Sequence, residues 1–409
     1  MAKQEFLVGL DIGTTKICAI VGQLTETGID IIGIGTRPST GLRKGAVINI
    51  DSTVEGIQRA IEEAELMAGC EIGSAFVGVA GNHVRSFNSS GVVSVKNREV
   101  DANDVERVID AAKAIAIPAD RQVIHLIPQD YIIDGQDGVK EPIGMNGVRL
   151  EGKIHIITAS TSSTQNLIKC ANRAGINVSE LVLEPIASAE AVLSEDEKEL
   201  GVAVVDIGGG TSDICIFVAG ALVHTGVINI GGNHITNDIA VGLRTPQTEA
   251  EKIKVRHGSC MKDLVAPEET IEVPGVGGRQ PRIVSRKLLA EIIEPRAEEM
   301  FQLIKAELEK TGYTELIGSG VVLTGGCSLL EGMPELAEMV FDMPVKRGFP
   351  LGMGGMRDIV NSPKFATGVG LLKYAAKKLQ AKGHRSMSSE GVSYKRMRDV
   401  MGGWIKDLF

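Results

Sequence analysis

The sequence has six cysteines and seven histidines, yet no C-x-x-C pair and no H-x-x-x-H pair. Those missing spacings argue against a structural metal site. Cys18, Cys70, Cys170, Cys215, Cys260 and Cys327 stand mostly in apolar surroundings, which predicts reduced, buried thiols in a cytosolic body. A basic excess is missing too. Lys and Arg number 43 against 52 Asp and Glu, and the net charge of -9 argues against nucleic acid as the main partner. No apolar run approaches the roughly 20 residues that span a bilayer, and no signal-peptide layout precedes the first strand pattern. Aromatic residues are only 3% of the chain, with a single tryptophan, Trp404.

What the chain does have is length and alternation. Its 409 residues exceed one compact core and predict two or more domains. Short β-branched runs predict strands over 6–10, 16–21 and 75–79, with a helix over 52–68. The second half predicts strands over 201–205, 214–218, 221–229 and 321–323, and helices over 287–310 and 328–340. Such alternation predicts α/β sheets. Two blocks read as insertions: 84–160, with a helix over 100–116, and 232–304, with a loop over 267–281. After Leu379 the text turns polar and small, which predicts a flexible linker over 381–392.

One phrase is written twice. L-V-G-L-D-I-G-T-T-K-I-C-A-I occupies 7–20, and V-V-D-I-G-G-G-T-S-D-I-C-I occupies 204–216. Each copy sets an aspartate, Asp11 or Asp206, at a strand end, followed by a glycine-containing turn and a second strand. Consecutive N–H groups in such turns form an anion nest. An aspartate beside that nest fits phosphate only if a divalent cation lies between them, and Mg²⁺ is usually held largely through water. One copy alone reads equally well as an ordinary tight turn; two copies point to a pair of hairpins gripping a nucleotide's phosphates. A third element, V-V-L-T-G-G-C-S-L-L at 321–330, ends a strand in Gly325-Gly326, with Ser328 as expected cap of the next helix. It offers a place for the nucleoside. The segment G-V-R-L-E-G-K at 147–153 mimics a G-x-x-x-x-G-K-[ST] loop, but Ile154 follows and a strand is predicted there, so it is set aside.

The phrases at Asp11–Lys16, Asp206–Asp213 and Leu323–Cys327 together resemble the actin, sugar-kinase and heat-shock-chaperone superfamily. Further stretches narrow the likeness: KGAVIN from Lys44, GNHVRS from Gly81, PQDY from Pro128, DGQDG from Asp134, PIGMNGVRLE from Pro142, EDEKELG from Glu195 and AEKIKVRHG from Ala250. These are similar to the bacterial cell-division family FtsA, and the likeness covers nearly the whole chain. It implies an actin-like (ribonuclease-H-like) fold with two mixed five-stranded sheets, four subdomains and ATP with Mg²⁺ in the cleft between them. The first half would comprise 1–83, 161–195 and 366–380, and the second 196–231 and 305–365. Gly13, Thr14, Thr15 and Lys16 would hold phosphates, as would Gly208, Gly209, Gly210 and Thr211. Asp11 and Asp206 would surround the metal's waters, and Gly232, Gly325 and Gly326 would complete the nucleotide site.

Glu251 and Lys254, one helical turn apart, would meet the nucleoside; the plain alternative is a surface ion pair. Glu184 would orient a water for ATP hydrolysis, or simply begin the helix at Pro185. Turnover is open, and ATP is expected to act as a switch between the halves. The 84–160 block would contact neighbours in a filament of the same chain and other division proteins. The 232–304 block would receive the C-terminal peptide of FtsZ, with Arg296 as the candidate contact or, alternatively, a solvated helix arginine.

The final residues add a physical reading of their own. Met397, Val400, Met401, Trp404, Ile405 and Leu408 share a helical face, with Phe409 following and Lys395, Arg396, Arg398 and Lys406 mostly elsewhere. A basic, Trp-bearing amphipathic helix suits an anionic membrane surface; the FtsA resemblance implies that this is the cytoplasmic side of the inner membrane at the division site. Gly402-Gly403 costs it roughly 1 kcal/mol per glycine in solution; docking on the protein's own core is the alternative. The expected protein is a membrane-tethered, ATP-binding, actin-like adaptor that polymerises, anchors the FtsZ ring and helps recruit later division proteins. A small-molecule kinase of the same superfamily is the competing expectation.

Overall fold

The computed structural model describes residues 6–26, 28–277 and 279–387. The chain opens with β1 (Phe6–Ile12), β2 (Lys16–Thr25) and β3 (Gly28–Pro38). A short ribbon, β4 (Leu42–Arg43) with β5 (Ala46–Val47), leads into α1 (Ile50–Ala68) and β6 (Ser74–Val79). Asn49 starts α1 by accepting a hydrogen bond from the Ser52 amide at 3.0 Å. The chain then departs through β7 (Val84–Ser94), α2 (Ala102–Lys113), β8 (Arg121–Ile133), β9 (Gln136–Val139) and β10 (Arg149–Ser160). It returns with α3 (Thr161–Arg173), β11 (Asn177–Leu183), α4 (Glu184–Val192) and α5 (Glu195–Leu200).

The second half starts with β12 (Val202–Ile207), β13 (Ser212–Val218) and β14 (Ala221–Ile228). Next come α6 (Gly232–Gly242), α7 (Gln247–His257), β15 (Thr270–Val273), β16 (Arg282–Ser285) and α8 (Arg286–Thr311). β17 (Val321–Thr324), α9 (Met333–Phe341) and β18 (Val345–Arg347) follow. The chain closes with β19 (Met353–Gly355), α10 (Arg357–Val360) and α11 (Ala366–Met387).

The doubled phrase reflects doubled topology. The first sheet runs β11-β6-β1-β2-β3-β19 and the second β14-β13-β12-β17-β18. In each, an antiparallel hairpin is flanked on one side by an antiparallel third strand and on the other by two parallel strands. β1 and β12 are apolar almost throughout because both faces are covered. Helices α1 and α3 close one face of the first sheet around Ile57, Ile61 and Leu167, while α6, α8 and α9 close the second around Ile239, Phe301 and Leu336. The two remaining faces share one core. Ile20 and Leu183 of the first sheet and Val204 and Cys215 of the second join it with Ala189 of α4 and Val369 and Leu372 of α11. Two helices therefore form the packed joint between the halves.

The 84–160 block is a four-stranded sheet, β7-β10-β8-β9, with its own small core around Val108, Tyr131 and Leu150. It also reaches across to β14, the edge strand of the second sheet. Ser86 Oγ donates to the Thr225 carbonyl (2.8 Å), Asn88 Nδ2 to Val223 (3.2 Å) and Gln129 Nε2 to Leu222 (2.9 Å). Buried His155 lies between Asn88 Oδ1 (2.6 Å) and Thr225 Oγ1 (3.1 Å).

Several sequence expectations need correcting. The first sheet has a sixth strand, β19, drawn from residues assigned to the other half; three residues are too short to read from pattern. The loop over 267–281 contains β15, which pairs with β16. Ser328 caps no helix: it lies in a 3-10 turn, Gly326–Leu329, and donates to the Gly325 carbonyl at 2.7 Å. Helix α11 runs to Met387, into the segment expected as a linker, because Gln380, Ala381, Lys382 and Arg385 are good helix formers. The described cysteines are all free, five of them buried and Cys70 half-buried, as expected. No helix of the described residues is long and apolar enough to cross a membrane. The amphipathic pattern from Met397 to Phe409 lies outside the described residues.

Burial lowers the pKa of His125 and of His155 to about 4, with His224 and His125 adding repulsion at His155. A histidine kept neutral in the fold is protonated first in the unfolded chain, so its contribution is complete above about pH 6.5 and is lost as pH falls toward 4. Urea unfolding at pH 7 and pH 5 tests this. His155→Gln is expected to reduce the wild-type loss of stability over that interval by roughly 2 kcal/mol at most; an unchanged difference would contradict it.

Candidate functional site

The two hairpins have the same register. Asp11 pairs with Cys18 and Ile12 with Ile17; Asp206 pairs with Asp213 and Ile207 with Ser212. Each turn is closed alike, by Gly13 N to Lys16 O (2.9 Å) and Gly208 N to Thr211 O (3.0 Å). The turns then meet tip to tip. A Cβ on Gly209 would fall 2.2 Å from Thr15 Cγ2, so only glycine permits this approach. Behind the contact opens a cavity of about 560 Å³, lined by both turns and both aspartates. That lies within the usual size of ligand pockets, roughly 300–1,000 Å³.

Asp11, Glu184, Asp206 and Asp213 all line it, with Lys16 close by. Lys16 Nζ donates to Asp11 Oδ2 (3.1 Å) and to the Lys364 carbonyl (2.6 Å). Burial opposes the Lys16 charge, but Asp11 and Asp206 among its neighbours raise its pKa overall. Asp206 Oδ2 accepts from Ser188 Oγ (2.5 Å) and Thr367 Oγ1 (3.4 Å). Its other oxygen packs on Gly325, where φ is +83° and a Cβ would stand 2.3 Å from Oδ1. Burial and Asp11 push the Asp206 pKa up against the pull of the Ser188 hydrogen bond. Burial and Asp206 raise Asp213 to about 7. Burial, then Asp11, Asp213 and Asp206, carry Glu184 well above the usual carboxylate range.

α6, α7 and the Gly325-Gly326 turn also line the cavity, and the Gly232 and Asn233 amides donate to the Gly208 and Gly209 carbonyls (2.9 and 2.8 Å). Glu251 and Lys254 pair at 2.8 Å, so the alternative of an ion pair is realised, yet both line the cavity. Lys254 is buried and donates to the Gly232 carbonyl (3.1 Å) and Thr236 Oγ1 (2.9 Å). It is thus a strut for the start of α6. Glu184 begins α4 without capping it and is partly exposed to the cavity. Arg296 lies elsewhere, on α8. It holds Asp238 of α6 through Nε (2.5 Å) and also contacts Glu299, so it is not a freely solvated arginine. Gly13, Thr14, Thr15, Gly208, Gly210, Thr211 and Gly326 complete the expected lining.

Asp213, Ser188, Lys364 and Thr367 were not singled out from sequence. Asp213 stood inside the doubled phrase, and counting across the turn pairs it with Asp206. The others come from distant segments and left no local trace.

These residues fit a divalent cation with an anionic ligand. Carboxylates outnumber ammonium groups around Asp206, and Asp213 Oδ1 is buried without a hydrogen-bond partner. An all-oxygen donor set suits a hard ion such as Mg²⁺. Among the described residues no group of three His, Cys, Asp or Glu is placed to hold an ion directly.

Doubled sheets with facing hairpins define an actin-like protein, and comparisons agree. A chain of a PilM-PilN type IV pilus biogenesis complex aligns at TM-score 0.66 and 15% identity, over 90% of this chain and 98% of that one. MreB5 of Spiroplasma citri bound to AMPPNP aligns at TM-score 0.57 and 17% identity, over 92% and 99%. At the sequence level, residues 203–370 match the model "Cell division protein FtsA", and residues 81–158 the "SHS2 domain inserted in FTSA". The cell division protein FtsA of Pseudomonas aeruginosa is 56% identical over 95% of this chain and 93% of its own. That of Escherichia coli K12 is 42% identical over 99% and 97%. The chain belongs to the FtsA family of cell division proteins.

Ser188→Ala removes the shorter of the two side-chain hydrogen bonds that buried Asp206 accepts. Chemical denaturation is expected to show a loss of about 1–3 kcal/mol; wild-type stability would mean that Asp206 does not depend on this contact.

Proposed function

We propose that the cleft binds ATP with Mg²⁺ and that the bound nucleotide sets the angle between the halves. The observation that carries this is the tip-to-tip meeting of two hairpins of equal register over one cavity that both aspartates line. Lys16 and the turn amides of Thr14, Thr15, Gly209 and Gly210 would face the phosphates. Asp11 and Asp206, with Asp213, would hold the waters of the ion, and the ion would neutralise charge between carboxylates and phosphates. Gly232, Glu251, Lys254, Gly325 and Gly326 would bound the nucleoside. Glu184 is disfavoured as a base while its neighbours repel its ionised form. An ion that offsets those charges would leave Glu184 ionised and able to orient a water, while the nucleotide acts as a switch between the halves.

In this proposal the chain assembles into filaments on the inner face of the cytoplasmic membrane, holds the FtsZ ring there and helps bring later division proteins. The basic amphipathic pattern at Met397, Val400, Met401, Trp404, Ile405, Leu408 and Phe409 would lie in the lipid interface. The 84–160 sheet would meet filament neighbours and division proteins. The 232–304 block would take the FtsZ C-terminal peptide, with Arg296 exchanging Asp238 or Glu299 for a peptide carboxylate.

Two measurements test these parts separately. Asp206→Ala is expected to weaken Mg·ATP binding by roughly tenfold or more, and wild-type affinity would refute the site. Trp404 emission is expected to shift to the blue on anionic vesicles, and deletion of 393–409 to abolish sedimentation with them. Unchanged emission at saturating lipid would remove the membrane assignment.

A further inference from the structure

The segment from Pro363 to Thr367 touches all three turns of the site. The Lys364 carbonyl accepts from Lys16 Nζ of the first hairpin at 2.6 Å. Thr367 Oγ1 donates to Asp206 of the second at 3.4 Å, and Thr324 Oγ1, just before the glycine turn, donates to the Pro363 carbonyl at 3.4 Å. Within this segment the Phe365 ring carries two ammonium groups, with Lys364 Nζ 4.8 Å and Lys16 Nζ 5.1 Å from its centroid. Phe365 is only 5% exposed and belongs to the core shared by the two halves. An aromatic face attracts cations through its quadrupole, so a ring fixed in that core sets where both lysines stand.

The cavity's cations are not equally available. Lys16 leans on Asp11, Lys254 on Glu251, and Arg286 on Glu269 and Glu331. Lys364 and Arg256 also line the cavity, and neither has a carboxylate partner among the described residues. Arg256 belongs to α7. Lys364 stands between Lys16 and the glycine turn, its Cβ 3.8 Å from where a Cβ on Gly326 would lie. An exposed ammonium with no ion pair to break can meet an incoming polyanion without first giving up a partner.

We propose that Lys364 is a second phosphate-binding cation of the cleft, and that Phe365 is the positioning residue that holds Lys16 and Lys364 together for it. This rests on the nucleotide proposal above. It adds a cation from outside the hairpins and ties the start of α11 to the phosphates.

The test is competition against a fluorescent ATP analogue on the full chain, with ATP, ADP and adenosine as competitors. Lys364→Ala is expected to weaken ATP roughly tenfold or more and ADP less, and to leave adenosine within about twofold, the span of ordinary contact variation. Lys364→Arg is expected to retain most of the affinity. Phe365→Leu is expected to weaken ATP in the same sense, with Phe365→Tyr restoring it; that rescue separates ring–cation positioning from mere core filling. Equal losses for ATP and adenosine, or wild-type ATP affinity in Lys364→Ala, would overturn the proposal while leaving the nucleotide site standing. A wild-type chain that binds no ATP analogue would overturn both together.

Discussion

The architecture depends on like charges held close together in a low-dielectric cleft. Asp11, Glu184, Asp206 and Asp213 come from four separate strand and helix ends and share one cavity, and Lys16 lies among them. Such repulsion destabilises the ligand-free fold. Burial first, and then this repulsion, raise the pKa of Glu184, Asp206 and Asp213. Apolar packing elsewhere offsets the repulsion, in two independent cores and in the third that the halves share.

That shared core gives the repulsion a mechanical meaning. Helices α4 and α11 lie between the sheets, and each begins at the cleft: α4 with Glu184, α11 one residue after Phe365. Movement of one hairpin relative to the other must pass through these two helices. The small sheet of the 84–160 block spans the same joint from outside, since it grows from the first half and hydrogen-bonds to β14 of the second. Under the function proposed above, a change of angle at the cleft would be felt at this sheet and along α11.

Much of this was legible in the sequence because the essential geometry is local. A strand, an aspartate, a four-residue glycine turn and another strand fix a hairpin by themselves, and finding the phrase twice revealed the doubled sheets. Features made by distant segments were not legible. Ser188, Thr367 and Lys364 reach the cleft only through the packing of α4 and α11, and no spacing marks them. The E-x-x-K spacing at Glu251 and Lys254 gave the shared helical face but not the inward turn of Lys254 toward Gly232. Strand β19 is too short for any periodicity, and the Ser328 cap failed because a 3-10 turn intervenes before α9. For Arg296 the sequence offered a peptide contact or a solvated helix arginine, and neither reading marked Asp238, 58 positions earlier, as the residue that holds it.

The most direct test asks whether both hairpins serve one ion. ATP affinity measured at fixed Mg²⁺ in Asp11→Asn, Asp206→Asn and the double variant forms a thermodynamic cycle. With a common ion between the turns, the double variant loses clearly less than the sum of the single losses. Strictly additive losses, or one aspartate with no effect at all, would contradict a site shared by the two halves.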